Sequence, residues 1–174
     1  ASKTAYKMAV DRVYTREEFL FRAKLAEQAE LFQEMATAVK NIAETKVDLT
    51  IQERDMLAVA YKNLISPKRV AIATLKQFEE KLARRGDAED RVKLTQELRE
   101  TIELEQQVLC RDVLALLDDF VLPSTSTAEG KVFFFKMKGD YNRYLTECTV
   151  EEARKEAIEG ALQAYEAGSD IAKA

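Results

Sequence analysis

The fold interpretation starts from KVFFFKMKGDYNRYL, residues 131–145, because this stretch joins an apolar run to regularly spaced charges. The apolar run covers 132–135. Four charged residues then follow at positions i, i+4, i+7 and i+11: Lys136, Asp140, Arg143 and Glu147. A helix with 3.6 residues per turn places all four along one line. The spacing predicts a helix whose apolar face lies beside a charged stripe made of these four residues.

Arg143 has a carboxylate one helical turn before it and another one turn after it, Asp140 and Glu147. The spacing therefore predicts that both carboxylates hold its guanidinium in place. A held guanidinium presents a fork of donors that matches a carboxylate or a phosphate. The competing interpretation is a solvated, salt-bridged helix face, as charged stripes commonly are. This stretch alone leaves both open.

Composition predicts an all-α fold in one domain. The chain has 174 residues, of which 47% are hydrophobic and 33% charged, with only five Gly and two Pro. Strong helix formers dominate it. Residues 1–14 are expected to be a mobile leader and residues 15–174 a single helical domain. Apolar periodicity and turn residues predict six antiparallel helices, at about 16–28, 31–45, 51–83, 89–121, 127–147 and 150–172.

Four capping boxes are predicted at helix starts, each a Ser or Thr followed three residues later by Glu. The pairs are Thr15/Glu18, Thr50/Glu53, Ser126/Glu129 and Thr149/Glu152. In such a box the hydroxyl and the carboxylate each accept a hydrogen bond from a free backbone N–H. Pro123 and the Ser and Thr residues after it are expected to end the fourth helix.

Several classes of function are disfavoured by the composition. A net charge of −4 does not favour nucleic acid or an anionic membrane as a partner, and the apolar runs are too short to span a bilayer. The chain has no His, and its two cysteines, Cys110 and Cys148, form no CxxC pair. We therefore predict no metal, no cofactor and no catalysis, with buried thiols in a reducing, cytoplasmic environment.

A second line of cations lies on the third predicted helix. Lys62 and Arg69 are seven residues apart, so they share a face. If this helix faces the fifth across a concave surface, Lys62, Arg69 and Arg143 converge, and Tyr144 adds a phenolic O–H. Three cations and a hydroxyl suit a phosphate dianion, which offers three strong acceptor oxygens. An exposed lysine that merely extends along apolar surface is the simpler alternative for Lys62.

Three motifs carry a resemblance to a known family. The segments KLAEQAE (24–30), ERDMLAVAYKNLISPKR (53–69) and KVFFFKMKGDYNRYL (131–145) resemble the first, third and fifth helices of 14-3-3 proteins. The resemblance covers about residues 16–174. It implies an adaptor that binds phosphoserine or phosphothreonine segments in a concave groove. By the same resemblance, Lys62, Arg69, Arg143 and Tyr144 hold the phosphate and Lys136 borders the groove.

The chain also departs from the family pattern. Pro67 lies between Lys62 and Arg69, where a kink would displace one cation from the other. About six of the family's nine helices are expected, so part of the groove and its apolar wall would be missing.

The resemblance further implies a homodimer, through residues 16–45 and the partner's third and fourth helices. The family's ion pairs across that interface do not survive here. By alignment Leu31 faces Glu105, Glu34 faces Thr101 and Glu18 faces Asp90.

Two other interpretations are kept beside the adaptor. The first is an assembly or scaffold protein of the same fold with weakened or lost phosphopeptide binding. The second is an enzyme that uses Asp140 and Glu147 as an acid/base pair. Pairing of both carboxylates to Arg143 explains them without catalysis.

Overall fold

A computed structural model of the chain describes residues 13–86 and 88–174, and within them it is all-α, as expected. Six long helices follow one another: α1 Arg16–Gln28, α2 Phe32–Ala43, α3 Ile51–Arg85, α4 Glu89–Leu116, α5 Ala128–Thr146 and α6 Glu151–Lys173. These bounds agree with the predicted helices to within a few residues, apart from the end of α4. Most of the expected mobile leader, residues 1–12, lies outside the described residues.

Two of the four predicted capping boxes form and two do not. Thr15/Glu18 and Thr50/Glu53 each make both reciprocal hydrogen bonds. The box at Ser126 is wrong, because Thr127 caps α5 and the Ser126 hydroxyl donates to Asp48 at 2.6 Å. The box at Thr149 is also wrong, because its hydroxyl donates to the carbonyl of Leu145 at 2.6 Å, behind it in the chain. In both failures the hydroxyl points to an acceptor away from the helix start and makes no capping hydrogen bond.

The fourth helix does not stop before Pro123. After Leu116 it widens into a π-helix, Leu117–Val121, and then tightens again over Leu122–Ser124. Proline is tolerated at the first positions of a helical segment, where its missing N–H has no intrahelical acceptor. The helical segment ends at Ser124, within the 123–126 stretch that was expected to end it.

The core lies where α2, α3, α4 and α5 meet. Its largest fully buried side chains include Ile42, Leu57, Ile65, Leu117 and Phe134. These come from segments far apart in sequence, so their burial fixes how the helices pack against one another.

Cys110 and Cys148 are buried free thiols, as predicted. Burial raises the pKa of the Cys148 thiol to about 11, and it also raises the pKa of Cys110. Both are therefore protonated, apolar-like side chains near neutral pH.

Glycine allows α6 to pack closely on α5. A Cβ atom on Gly139 would lie 2.4 Å from the ring of Tyr165, and one on Gly168 would lie 3.3 Å from Phe135. The Tyr165 ring therefore rests on the backbone of α5, beside the charged stripe. Ile158 and Leu162 of α6 are exposed on another part of its surface. No helix of the described residues is long and apolar enough to cross a bilayer.

Candidate functional site

Tyr144 on α5 lies at the centre of the predicted phosphate site. The guanidinium carbon of Arg69, from α3, lies 4.1 Å from the centroid of its ring. The guanidinium carbon of Arg143, from α5, lies 4.7 Å from the same centroid. Cations at this distance from an aromatic face are attracted by its quadrupole. Two arginines 74 positions apart in the chain are thus brought to one side chain.

Lys62 and Lys136 line the same cavity as Tyr144. Together with Ala58, Phe133 and Met137 they line a cavity of about 210 Å³ between α3 and α5, and Tyr144 is part of its wall. Lys62 is exposed and has no ion pair with any of the described residues. The structure therefore places Lys62, Arg69 and Arg143 around Tyr144; these four residues are called the basic cluster below. Lys136 lies at its edge.

Glu147 binds Arg69 rather than Arg143, which corrects the sequence-based expectation. The Arg69 Nε and Nη2 groups each donate to one oxygen of Glu147 at 2.7 Å, a bidentate pair. This hydrogen bonding raises the pKa of the Arg69 guanidinium above its ordinary value. Arg143 lies 3.9 Å from Glu147 and 3.8 Å from Asp140, so neither carboxylate holds it firmly. Arg69 is the fixed cation and Arg143, with its side chain 49% exposed, is the freer one.

Asp140 is shared among three groups. It accepts hydrogen bonds from Lys136 and from the Tyr165 hydroxyl, both at 2.7 Å, and it forms the long contact to Arg143. Hydrogen bonding to Asp140 raises the pKa of Lys136. Burial acts to lower the pKa of Arg143, but a hydrogen bond with Tyr165 and the nearby Tyr144 raise it. Sequence reasoning missed Tyr165, and the only available signal was Gly139, which leaves room for its ring.

Pro67 does not break α3. The helix continues from Ile51 through Arg85 with Pro67 inside it. Arg69, two residues later, still reaches both Tyr144 and Glu147. The proline therefore does not prevent Arg69 from contacting Tyr144 and Glu147.

Other chemistry has little support at this site. Both carboxylates proposed as an acid/base pair are engaged by cations, Asp140 by Lys136 and Glu147 by Arg69. Within residues 13–86 and 88–174 no group of three or more Cys, Asp and Glu side chains is placed to hold a metal ion. The arrangement instead brings cationic side chains from two helices to the Tyr144 ring.

Comparison with known proteins gives the family. The family model described as "14-3-3 protein" matches residues 22–174. The chain belongs to the 14-3-3 family. A relative from Candida albicans, "14-3-3 protein homolog", is 43% identical over 158 residues, or 91% of this chain and 60% of that protein. "14-3-3-like protein B" of Nicotiana tabacum is 46% identical, with 91% of this chain and 63% of that protein covered.

A third relative has a name that describes a role. "Checkpoint signal transducer rad25" of Schizosaccharomyces pombe is 44% identical, with 92% of this chain and 59% of that protein covered. The chain thus spans about 60% of the length of the curated 14-3-3 relatives that it matches. 14-3-3 proteins are adaptors rather than enzymes, which agrees with the prediction made from composition.

Proposed function

We propose that this 14-3-3 chain is a non-enzymatic adaptor that binds phosphoserine or phosphothreonine segments of partner proteins through the basic cluster. Lys62, Arg69, Arg143 and Tyr144 would bind the phosphate, and Lys136 would border the groove. The observation that carries the proposal is the position of the Arg69 and Arg143 guanidiniums, both within 5 Å of the Tyr144 ring centroid. Residues 15–174 would form one helical domain.

The chemistry of the cluster suits a phosphate monoester. Its charge is close to −2 at neutral pH, and its three oxygens accept strong hydrogen bonds from arginine. Lys62 is exposed and has no ion pair in the described part of the chain, and half of the Arg143 side chain is open to solvent. Both are available to an incoming anion. The acidic net charge of −4 makes this a local site rather than a general anion-binding surface.

A second candidate function is supported by one observation. Because Glu147 already fills the donor fork of Arg69, the site has an internal anion. A scaffold protein of the same fold that no longer binds phosphate would retain such a pair for stability alone. This candidate predicts that Arg143→Ala leaves partner binding unchanged.

A peptide titration separates the two functions. We expect a fluorescent phosphoserine peptide to bind the full chain at least about tenfold more tightly than its unphosphorylated twin, as charge-assisted bonds to the phosphate require. Fluorescence anisotropy measures both affinities under the same salt conditions. A mixed-sequence set of peptides is used, because the flanking preferences are unknown. Equal affinities for each phosphorylated and unphosphorylated pair would contradict the adaptor proposal and favour the scaffold.

We also propose a homodimer and a cytoplasmic location. Leu25 and Leu31 are each more than half exposed and border a shallow apolar surface of α1 and α2. Burial of this surface would support pairing even without the family's ion pairs, since exposed pairs contribute only about 0–1 kcal/mol each. Glu105, which faces Leu31 in that alignment, is paired with Lys68 of its own chain. The mass of the chain in solution tests the dimer, and the two free thiols agree with a reducing compartment.

A further inference from the structure

We propose that Glu147 is a built-in competitor that makes the basic cluster selective for a phosphate dianion over the carboxylates of aspartate and glutamate. The inference rests on the proposed phosphopeptide binding and adds the basis of its selectivity. It assigns to Glu147 a function other than holding Arg143.

The Glu147 carboxylate engages two of the donors that the proposed function assigns to the phosphate. Its two oxygens accept hydrogen bonds from Nε and Nη2 of Arg69, both at 2.7 Å. One of the same oxygens lies 3.9 Å from Nη1 of Arg143. The carboxylate therefore lies between the two guanidiniums that contact the Tyr144 ring. An external anion that needs the Nε and Nη2 hydrogens of Arg69 already bound to Glu147 has to displace it.

The competitor is tethered to the site that it occupies. Glu147 follows α5 directly and is four residues from Arg143, so its local concentration near the cluster is high. A glutamate or aspartate of a partner peptide offers the same group and the same single charge. Exchanging one carboxylate for the other gains little attraction and gives up the tethered pair. Acidic peptide segments are therefore poor ligands for this site.

A phosphate changes this balance because its charge is about twice as large and it has a third oxygen. It gains attraction from Lys62 and Arg143 as well as from Arg69, and it can bond to more than one of them at once. Arg69 also has three N–H hydrogens that Glu147 does not use. The dianion can therefore displace the carboxylate or bind beside it, and in either position it is attracted more strongly than a singly charged peptide carboxylate.

The test compares Glu147→Gln with the wild-type chain. Glutamine keeps the size of the side chain and removes its charge. Anisotropy titrations use three versions of one peptide, with phosphoserine, glutamate or serine at the central position. We expect the variant to bind the glutamate peptide about fivefold more tightly and the phosphoserine peptide only about twofold more tightly, which is the scale of a partly exposed ion pair.

Glu159→Gln is the matched control, because it makes the same charge change at an exposed position of α6 that has no ion pair in the described part of the chain. This control is expected to leave the ratio of the affinities for the phosphoserine and glutamate peptides unchanged. Equal tightening of both peptides by Glu147→Gln, an equal response in the control, or weaker phosphoserine binding would each overturn the competitor role. Weaker binding would mean that Glu147 orients Arg69.

The same titrations distinguish failure of the proposed function from failure of the competitor role. If the wild-type chain does not distinguish phosphoserine from serine, the adaptor proposal fails and this inference fails with it. If the wild-type chain does distinguish them and only the Glu147→Gln ratio is unchanged, phosphopeptide binding stands and the competitor role alone fails. Circular dichroism of each variant confirms that its helices remain folded.

Discussion

Replacing Arg69 with alanine is expected to weaken binding of a phosphoserine peptide by about thirtyfold to a hundredfold, while affinity for the unphosphorylated peptide stays unchanged. Arg69 is held by two hydrogen bonds and lies 4.1 Å from the Tyr144 ring centroid, so its donors are already oriented. Charge-assisted bonds from a pre-oriented guanidinium to phosphate account for an effect of this size. Fluorescence anisotropy with the phosphorylated and unphosphorylated peptides measures it.

Two further variants show whether the charge or the donor fork matters. Arg69→Lys keeps the charge and loses the fork, so it should recover only part of the lost affinity. Arg154→Ala removes an arginine from the exposed surface of α6 and should change the affinity less than twofold. If Arg69→Ala and Arg154→Ala reduce binding to the same small extent, the cluster acts only as general positive charge and the assigned site is wrong.

Replacing Glu53 with alanine is expected to lower the free energy of unfolding by about 2 kcal/mol, because it removes a buried carboxylate that caps α3 and accepts from the partly exposed Arg16 guanidinium. Glu53 is 3% exposed. It accepts hydrogen bonds from Nε and Nη2 of Arg16 at 2.8 and 2.7 Å, and from the backbone N–H and hydroxyl of Thr50 at 2.8 and 2.9 Å. It thus caps α3 and ties α1 to it. Urea unfolding followed by circular dichroism measures the change.

Glu80→Ala is the control for this stability prediction. Glu80 lies on the same helix and pairs with Arg84, but both side chains are more than 60% exposed. Its replacement should change the free energy of unfolding by less than about 0.5 kcal/mol. A Glu53→Ala variant as stable as the control would contradict the buried network.

The carboxyl groups of Glu53 and Asp48 predict how the free energy of unfolding depends on pH. Burial acts to raise the pKa of Glu53, but hydrogen bonds from Arg16 and Thr50 lower it below its ordinary value of 4.5. Hydrogen bonds from the side chain and backbone of Ser126 lower the pKa of Asp48 below 3.8. Because both values are lowered by folding, their contributions are present above the unfolded pKa values and are lost as pH falls through the folded ones. Stability should therefore fall below about pH 4, and less steeply in Glu53→Ala.

The local features of the fold could be predicted from sequence, and those set by distant residues could not. Helix positions follow from apolar periodicity and helix-forming composition, which act within a few turns. The Thr50 cap forms because its partner Glu53 is three residues away. At Ser126 the cap does not form: Thr127 caps α5, and the Ser126 hydroxyl donates to Asp48, 78 residues away. No local pattern contains that contact.

The basic cluster also has features that the sequence predicts locally and others that depend on contacts between distant residues. Spacing within each helix identified the candidate residues, Lys62 and Arg69 on α3 and Arg143 and Tyr144 on α5. Their convergence was inferred through the family resemblance. The spacing also suggested that Glu147 holds Arg143, whereas it binds Arg69 from another helix. A bidentate pair between helices has better geometry than the 3.9 Å contact along α5. The choice between these partners depends on helix packing, which sequence periodicity does not specify.

The central claim is that the basic cluster contacts the phosphate group itself. Phosphorus-31 NMR of a phosphoserine peptide reports on that group directly. We predict that the phosphorus resonance shifts on addition of the wild-type chain, and that this shift is lost with Arg69→Ala and reduced with Arg143→Ala. A peptide that binds by anisotropy while its phosphorus resonance stays unmoved, or shifts equally with all three proteins, would contradict the account.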